Sequence, residues 1–283
     1  MTSAFTEGHF RVLEDIACEL SGDVNFPTCM DAALLIRDTL SDPFADLSRV
    51  CAVVGAEPLI SSKLLRLANS AHYNPSGKSI SDVGIAVARL GFENVRTLSL
   101  AVAMDQMLRA KHLAAYDDIA HKVWAHSVEV AAIARTLARH QGTVRPEDAM
   151  MTGLVHDIGV FYLLYRAAAY PAYRDNREAM IELLAGWHEG IGETMLHALG
   201  VPTNIADAVH DHDHLRTLGP IPDLGGTLYL ANLLAGSDTE WRPCDLSTGD
   251  LEAMASQAAS HQEWLVQAAP DIDELRSALG ICN

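Results

Sequence analysis

Ser79-Ile80-Ser81-Asp82-Val83-Gly84-Ile85-Ala86-Val87-Ala88-Arg89-Leu90-Gly91 decides the fold class. Its aliphatic residues at 80, 83, 87 and 90 are three or four apart, so they share one side of a helix that Gly91 then stops. The same period recurs on either side. Phe92 to Leu108 reads as another apolar helix, and Leu59 to Ala71 carries Ile60, Leu64, Leu65, Leu67 and Ala68 as a helical stripe. Farther upstream, Leu34, Leu35, Asp38 and Thr39 lie in a short amphipathic segment after Phe26-Pro27-Thr28. There Pro27 excludes an earlier start and Thr28 is placed to cap. Turns are expected at Asn74-Pro75-Ser76-Gly77, near Gly142 and around Gly219-Pro220-Ile221-Pro222. Strand-like alternation, fixed repeats and low-complexity tracts are absent, so the chain is expected to be all-α.

The 283 residues are 49% hydrophobic and 20% charged, the balance of a globular protein. Charge is spread unevenly. Residues 1–115 hold ten basic and thirteen acidic side chains, whereas residues 116–283 hold ten and 24, so the second part carries −14 of the net −17. Such a surface repels polyanions, which excludes nucleic acid or an anionic membrane as the main partner. The shift also suggests an organisation: an extension over 1–20, a helical bundle over 20–115, a second over 116–240 and terminal helices over 241–283. Five scattered cysteines with no CxxC spacing indicate neither a disulfide framework nor a thiolate metal site, which fits a reducing cytoplasm. The N-terminus lacks a basic and apolar signal segment, and the most apolar stretch, 158–170, is too short and too broken to span a bilayer. A soluble cytoplasmic protein is expected, and its plain N-terminus permits excision from a longer receiver or sensor protein.

Nine of the thirteen histidines fall between His121 and His214, and one lies in Gly153-Leu154-Val155-His156-Asp157-Ile158-Gly159. An imidazole beside a carboxylate suits divalent metals and phosphate chemistry. On a helix from Asp117 to Arg139, His126 shares a face with Val130, Ile133 and Leu137 and should point inward. His188 stands likewise with Gly192, Met195 and Leu199, and His212 with Ile205, Ala208 and Val209. His156 and Asp157 end a fourth helix, with Gly159 free to make a sharp exit, and Asn232 lies inward on a fifth with Leu228 and Ala235. Inward polar groups on separate helices need partners, and mutual satisfaction around a metal is one solution. A polar core without metal is the plain alternative. His121, His140, His197, His210 and His214 share faces with charged residues and read as solvated, with His210 and His214 placed to assist His212. Glu189, beside His188, and Asp213, beside His212, are candidate supporting or bridging carboxylates.

Leu65-Arg66-Leu67-Ala68-Asn69-Ser70-Ala71, then Ile80-Ser81-Asp82-Val83 and Ala86-Val87-Ala88-Arg89-Leu90-Gly91, resembles the HDOD domain. That domain is a bacterial signalling module related to the HD superfamily of metal-dependent phosphohydrolases. Phe26-Pro27 upstream and Trp124-Ala125-His126-Ser127 downstream extend the similarity to roughly residues 20–235. The resemblance implies a helical two-bundle architecture with a degenerate HD-like half. It implies that His126, His156, Asp157 and a later acidic position, here Asn232, hold one metal. His188 and His212 match the additional histidines that hold a second metal in HD-GYP relatives, and Asp213 stands where those relatives have another histidine. One or two divalent ions follow, with iron, manganese, zinc or nickel compatible with N and O donors. Three departures weigh against catalysis: the neutral Asn232, Val160 where active HD proteins often carry a basic residue, and the missing Gly-Tyr-Pro after His212. The expected function is therefore a non-catalytic signalling module that binds a protein partner, with Arg66 and Asn69 as candidate contacts and no catalytic residue assigned. The alternative is a metal-dependent phosphohydrolase acting on a nucleotide or cyclic dinucleotide.

Overall fold

In the computed structural model, which describes residues 12–18, 27–218, 223–236, 241 and 246–281, every regular element is helical. The all-α expectation holds. After a helical stretch over 12–18 come helices α1 (Asp31–Ser41), α2 (Leu47–Gly55), α3 (Pro58–Ala68) and α4 (Val83–Leu108). A 3-10 segment, Lys111–Tyr116, leads to α5 (Asp117–Gln141), α6 (Pro146–Val155), α7 (Ile158–Ala167), α8 (Arg177–Ala198), α9 (Thr203–Val209) and α10 (Leu224–Ala235). Helices α11 (Thr248–Ser260) and α12 (Glu263–Leu279) follow.

Local chemistry sets the boundaries and corrects some of those read from periodicity. Thr28 caps nothing: Thr28–Met30 form a 3-10 turn, and α1 begins at Asp31 without a side-chain cap. The helix expected from Ser79 starts instead at Val83, because the Asp82 carboxylate accepts the Ile85 amide at 2.8 Å. Residues 79–82 stay extended, held by Asn69, whose amide oxygen accepts the Ile80 N–H at 2.7 Å and whose nitrogen donates to the Ile80 carbonyl at 2.7 Å. Gly91 breaks α4 as expected, at φ 77°. Gly142 closes α5 in the left-handed region, and Gly77 donates to the Asn74 carbonyl in the expected turn. Phe26 and the turn at 219–222 lie outside the described residues.

Helix α5 is the hub, with α6, α10 and α12 packed around it. Its Val130, Ile133 and Leu137 are fully buried. Helix α7 is apolar through its first two turns and is buried there on every side, Ile158 through Leu164 with Gly159 included, while Tyr165 and Arg166 near its end are half-buried. The buried apolar residues form one continuous cluster from Val12 to Leu279.

Helix α12 packs on both α5 and α3 and is tied to each by buried charges. Arg135 of α5, 2% exposed, donates to Glu274 at 3.4 Å and pairs with Asp271 at 3.4 Å. Asp271 also accepts from the Thr136 hydroxyl at 2.7 Å and from Arg139. Lys63 of α3 donates to the Leu279 carbonyl at 2.5 Å and faces Asp105 at 3.4 Å. One helix thus fastens the early half of the chain to the later half.

Candidate metal centre

Two glycines bring the centre together. A Cβ on Gly153 would lie 2.7 Å from the Ala131 backbone, so α6 can press against α5 only without a side chain there. A Cβ on Gly159 would lie 1.9 Å from the His188 carbonyl, so the same holds between α7 and α8. Gly159 therefore serves close approach inside α7 and not the sharp exit expected of it. His156 and Asp157 sit between these contacts, at the junction where α6 ends and α7 begins.

His126 from α5, His156 and Asp157 from the junction, His188 from α8, and Asn232 from α10 face one place. His212 joins them from a turn, not from a helix: α9 ends at Val209, and Asp211 adopts φ 59°, a left-handed conformation that Asp tolerates better than most residues. Neighbouring ring centroids lie 5.3 Å apart for His126 and His156, 4.9 Å for His156 and His212, and 5.3 Å for His188 and His212. His156, Asp157, His188 and His212 are 1–3% exposed and Asn232 8%.

Backbone carbonyls fix the imidazoles. Nδ1 of His156 donates to Gly153 at 2.7 Å, that of His188 to Leu184 at 2.8 Å, and that of His212 to Val209 at 2.8 Å. Each carbonyl only accepts, so each ring carries a proton on Nδ1 and turns its Nε2 inward, where a second proton or a metal ion can bind. Those of His156 and His212 stand 3.3 and 3.4 Å from the two oxygens of Asp157, and that of His188 stands 3.3 Å from Asp213. His126 differs. Its Nε2 donates to the Asn232 oxygen at 2.8 Å, while the Asn232 nitrogen donates to Asp213 at 2.9 Å.

Asp213 is thus part of the ring of donors, which sequence reasoning had left as a supporting group. It supplies a carboxylate beside the neutral Asn232, and the signal for it was its place directly after His212. Glu189 stands behind it, accepting the Asp213 amide at 3.1 Å and lying 3.3 Å from His214. Electrostatics follow from this crowding. Burial opposes charge on His212, but Asp213, Asp157 and Glu189 overcome it and carry its pKa up to about 10. His188 is raised against its burial by Asp213. Asp157 and Asp213, which burial alone would raise, are held well below the usual carboxylate range by the facing histidines. His126 is lowered by burial and by His156.

The donor set fits a divalent ion. Nε2 of His188 and of His212 are buried without a well-formed hydrogen bond. Separations of 3.3–3.4 Å match the roughly 3.3 Å between donors around an ion with bonds of about 2.0–2.1 Å. Two trios, His126–His156–Asp157 and Asp157–His188–His212, each place their ligand atoms within 4.8 Å and share Asp157.

The other candidates lie elsewhere. Val160 is fully buried in α7. Arg66 is exposed and, with Asn69, lines an open cleft of about 960 Å³ between α3 and α12. The Asn69 amide is spent internally on Ile80 and on the Leu65 carbonyl at 2.8 Å.

The HDOD domain family profile matches residues 26–215. The chain belongs to the HDOD family. Among solved structures, this HDOD chain is similar to a protein from Shewanella amazonensis SB2B provisionally named a metal-dependent phosphohydrolase. The two are 21% identical, with a TM-score of 0.74 over 96% of this chain and 99% of that one. It is also similar, at 17% identity and a TM-score of 0.55, to a protein from Marinobacter aquaeolei VT8 provisionally named a signal transduction protein, over 96% of this chain and 66% of that one. An uncharacterized protein of Treponema pallidum (strain Nichols) is 22% identical over 68% of this HDOD chain, which spans 38% of that relative's length. No helix among the described residues is long and apolar enough to cross a membrane.

Proposed function

We propose that this HDOD protein is a regulatory module of a signalling pathway that holds one or two divalent first-row ions, among them iron, manganese, zinc or nickel, in a closed centre and acts by binding another protein. His156, Asp157, His188, His212 and Asp213 would hold the ion, with His126 and Asn232 completing the second trio. Bound there, it would supply positive charge that cross-links α7, α8 and the turn after α9. One observation carries the non-catalytic reading: His156, Asp157, His188 and His212 are 1–3% exposed and only Asp213 and His126 reach partway to the surface, so a phosphate has little approach to the inner donors. The charge of −14 over residues 116–283 also disfavours the added negative charge of a phosphoryl transition state. The protein named a signal transduction protein supports the pathway, and Arg66 on the open cleft is the candidate partner contact.

A second reading, hydrolysis of a nucleotide or cyclic dinucleotide, is favoured by Asp213, which returns the carboxylate that Asn232 lacks. Metal analysis of untagged protein purified without chelators, followed by assays with manganese and iron, separates the two. Bound metal is expected, with no turnover of cyclic dinucleotides by the unaltered protein. Turnover that His156→Ala abolishes would replace the regulatory reading with the hydrolytic one.

A further inference from the structure

We propose that a ladder of alternating carboxylates and imidazoles along the seam of α8 and α9 conducts divalent first-row cations from solvent to the buried centre. The proposal rests on the reading that this centre binds such ions. Glu189, Glu193 and His197 are spaced by four residues on α8 and share one face. Asp207 of α9, and then His210, Asp211 and His214 beyond it, stand opposite.

The ladder begins at His197, whose Nε2 lies 3.9 Å from Glu193 and 3.7 Å from Asp207. The other Glu193 oxygen lies 2.9 Å from Nδ1 of His210, and Nε2 of that ring lies 3.2 Å from Asp211. Asp211, Glu189 and His214 then bring their ligand atoms within 4.8 Å of one another. Glu189 reaches the buried centre, 3.7 Å from Nδ1 of His212 and hydrogen-bonded to the Asp213 amide. Side-chain exposure stays at 31–62% from His197, Glu193 and Asp207 through His210 to Asp211, and then falls to 16% at Glu189 and 0% at His212.

The contacts within the rungs, 2.9–3.9 Å, bracket the roughly 3.3 Å between donors on a four-coordinate ion. An ion can therefore rest at each rung without backbone movement. Two or three donors hold it too weakly to keep it, which is what conduction through several sites requires. Glu193 and Asp211 each belong to two rungs, so a moving ion retains a protein donor as it steps. The left-handed backbone at Asp211 fits this service, since it sets that carboxylate between His210 and the inner group.

The test uses the full chain, freed of metal, and Co2+ alone. Trp241 lies 6.3 Å from His188, so quenching of tryptophan fluorescence by the paramagnetic ion reports arrival in stopped flow. In Glu193→Gln/His197→Ala, uptake at low Co2+ is expected to slow about tenfold or more, the scale on which acidic clefts accelerate cation capture. Release into a chelator should slow by the same factor, with final stoichiometry and affinity unchanged, because altering a path leaves its end points alone. The single variant Asp207→Asn should show a smaller slowing. Uptake by the double variant at the original rate would overturn the ladder while leaving the metal reading intact, and would mark these groups as ion pairs only. Absence of uptake by the unaltered chain would overturn both.

Discussion

The proton on His212 and a metal ion would compete for one position. Its pKa in the folded chain is raised from 6.5 to about 10, so the metal-free protein gains stability from that proton fully below pH 6.5 and loses it as pH rises through about 10. The melting temperature of metal-free protein is expected to fall between pH 6.5 and 10, and His212→Gln should flatten that fall. Metal affinity should move the other way, strengthening with pH as protons leave His188 and His212. A flat melting profile for the unaltered protein would show that Asp157 and Asp213 do not hold His212 charged. At this scale much of the site was legible, because His126, His188 and Asn232 each sit three or four residues from apolar neighbours. His212 was placed on a helix because Ile205, Ala208 and Val209 continue such a stripe, and the chain leaves it only at a left-handed Asp211. Asp213 was legible only as a supporting or bridging carboxylate, because its place after His212 does not say that it faces His188 at 3.3 Å.

Two pairs of helices, α5 with α6 and α7 with α8, approach at the centre where a side chain is missing. Gly159→Ala would drive a methyl group into the His188 carbonyl, at a cost on the order of 3 kcal/mol for overpacking against backbone. Urea denaturation should show that loss, together with loss of bound metal. Gly190→Ala, on the same helix as His188 but with nothing within 4 Å of its Cβ, should be neutral or stabilise by about 0.5–1 kcal/mol. If both substitutions behaved alike, close approach would not be what fixes the α7–α8 distance. Helix existence was readable from apolar period at this scale, as α3 and α5 show. Starts were less so, because capping depends on which nearby oxygen reaches an amide: Asp82 does, whereas Thr28 does not.

Across the whole molecule, two buried polar groups tie α12 to earlier helices: Arg135 with Asp271 and Glu274 to α5, and Lys63 to α3. Arg135→Ala would remove the cation facing Glu274 and leave Asp271 to Arg139 in a largely dry seam, at a cost of about 3 kcal/mol. Unfolding followed by circular dichroism and by tryptophan fluorescence should still coincide, since the apolar residues form one cluster. This network could not be read beforehand, because Arg135 lies on an otherwise apolar face of α5 and its partners are more than 130 residues away. The Lys63–Leu279 contact is longer still, spanning 216 residues. During synthesis at about 5–20 residues per second, α3 therefore waits roughly 10–40 s on the ribosome before the helix that covers it has been translated. For that interval the nascent chain presents an uncovered apolar stripe, and a chaperone or a slow codon run near residue 260 would act on that intermediate rather than on the finished fold.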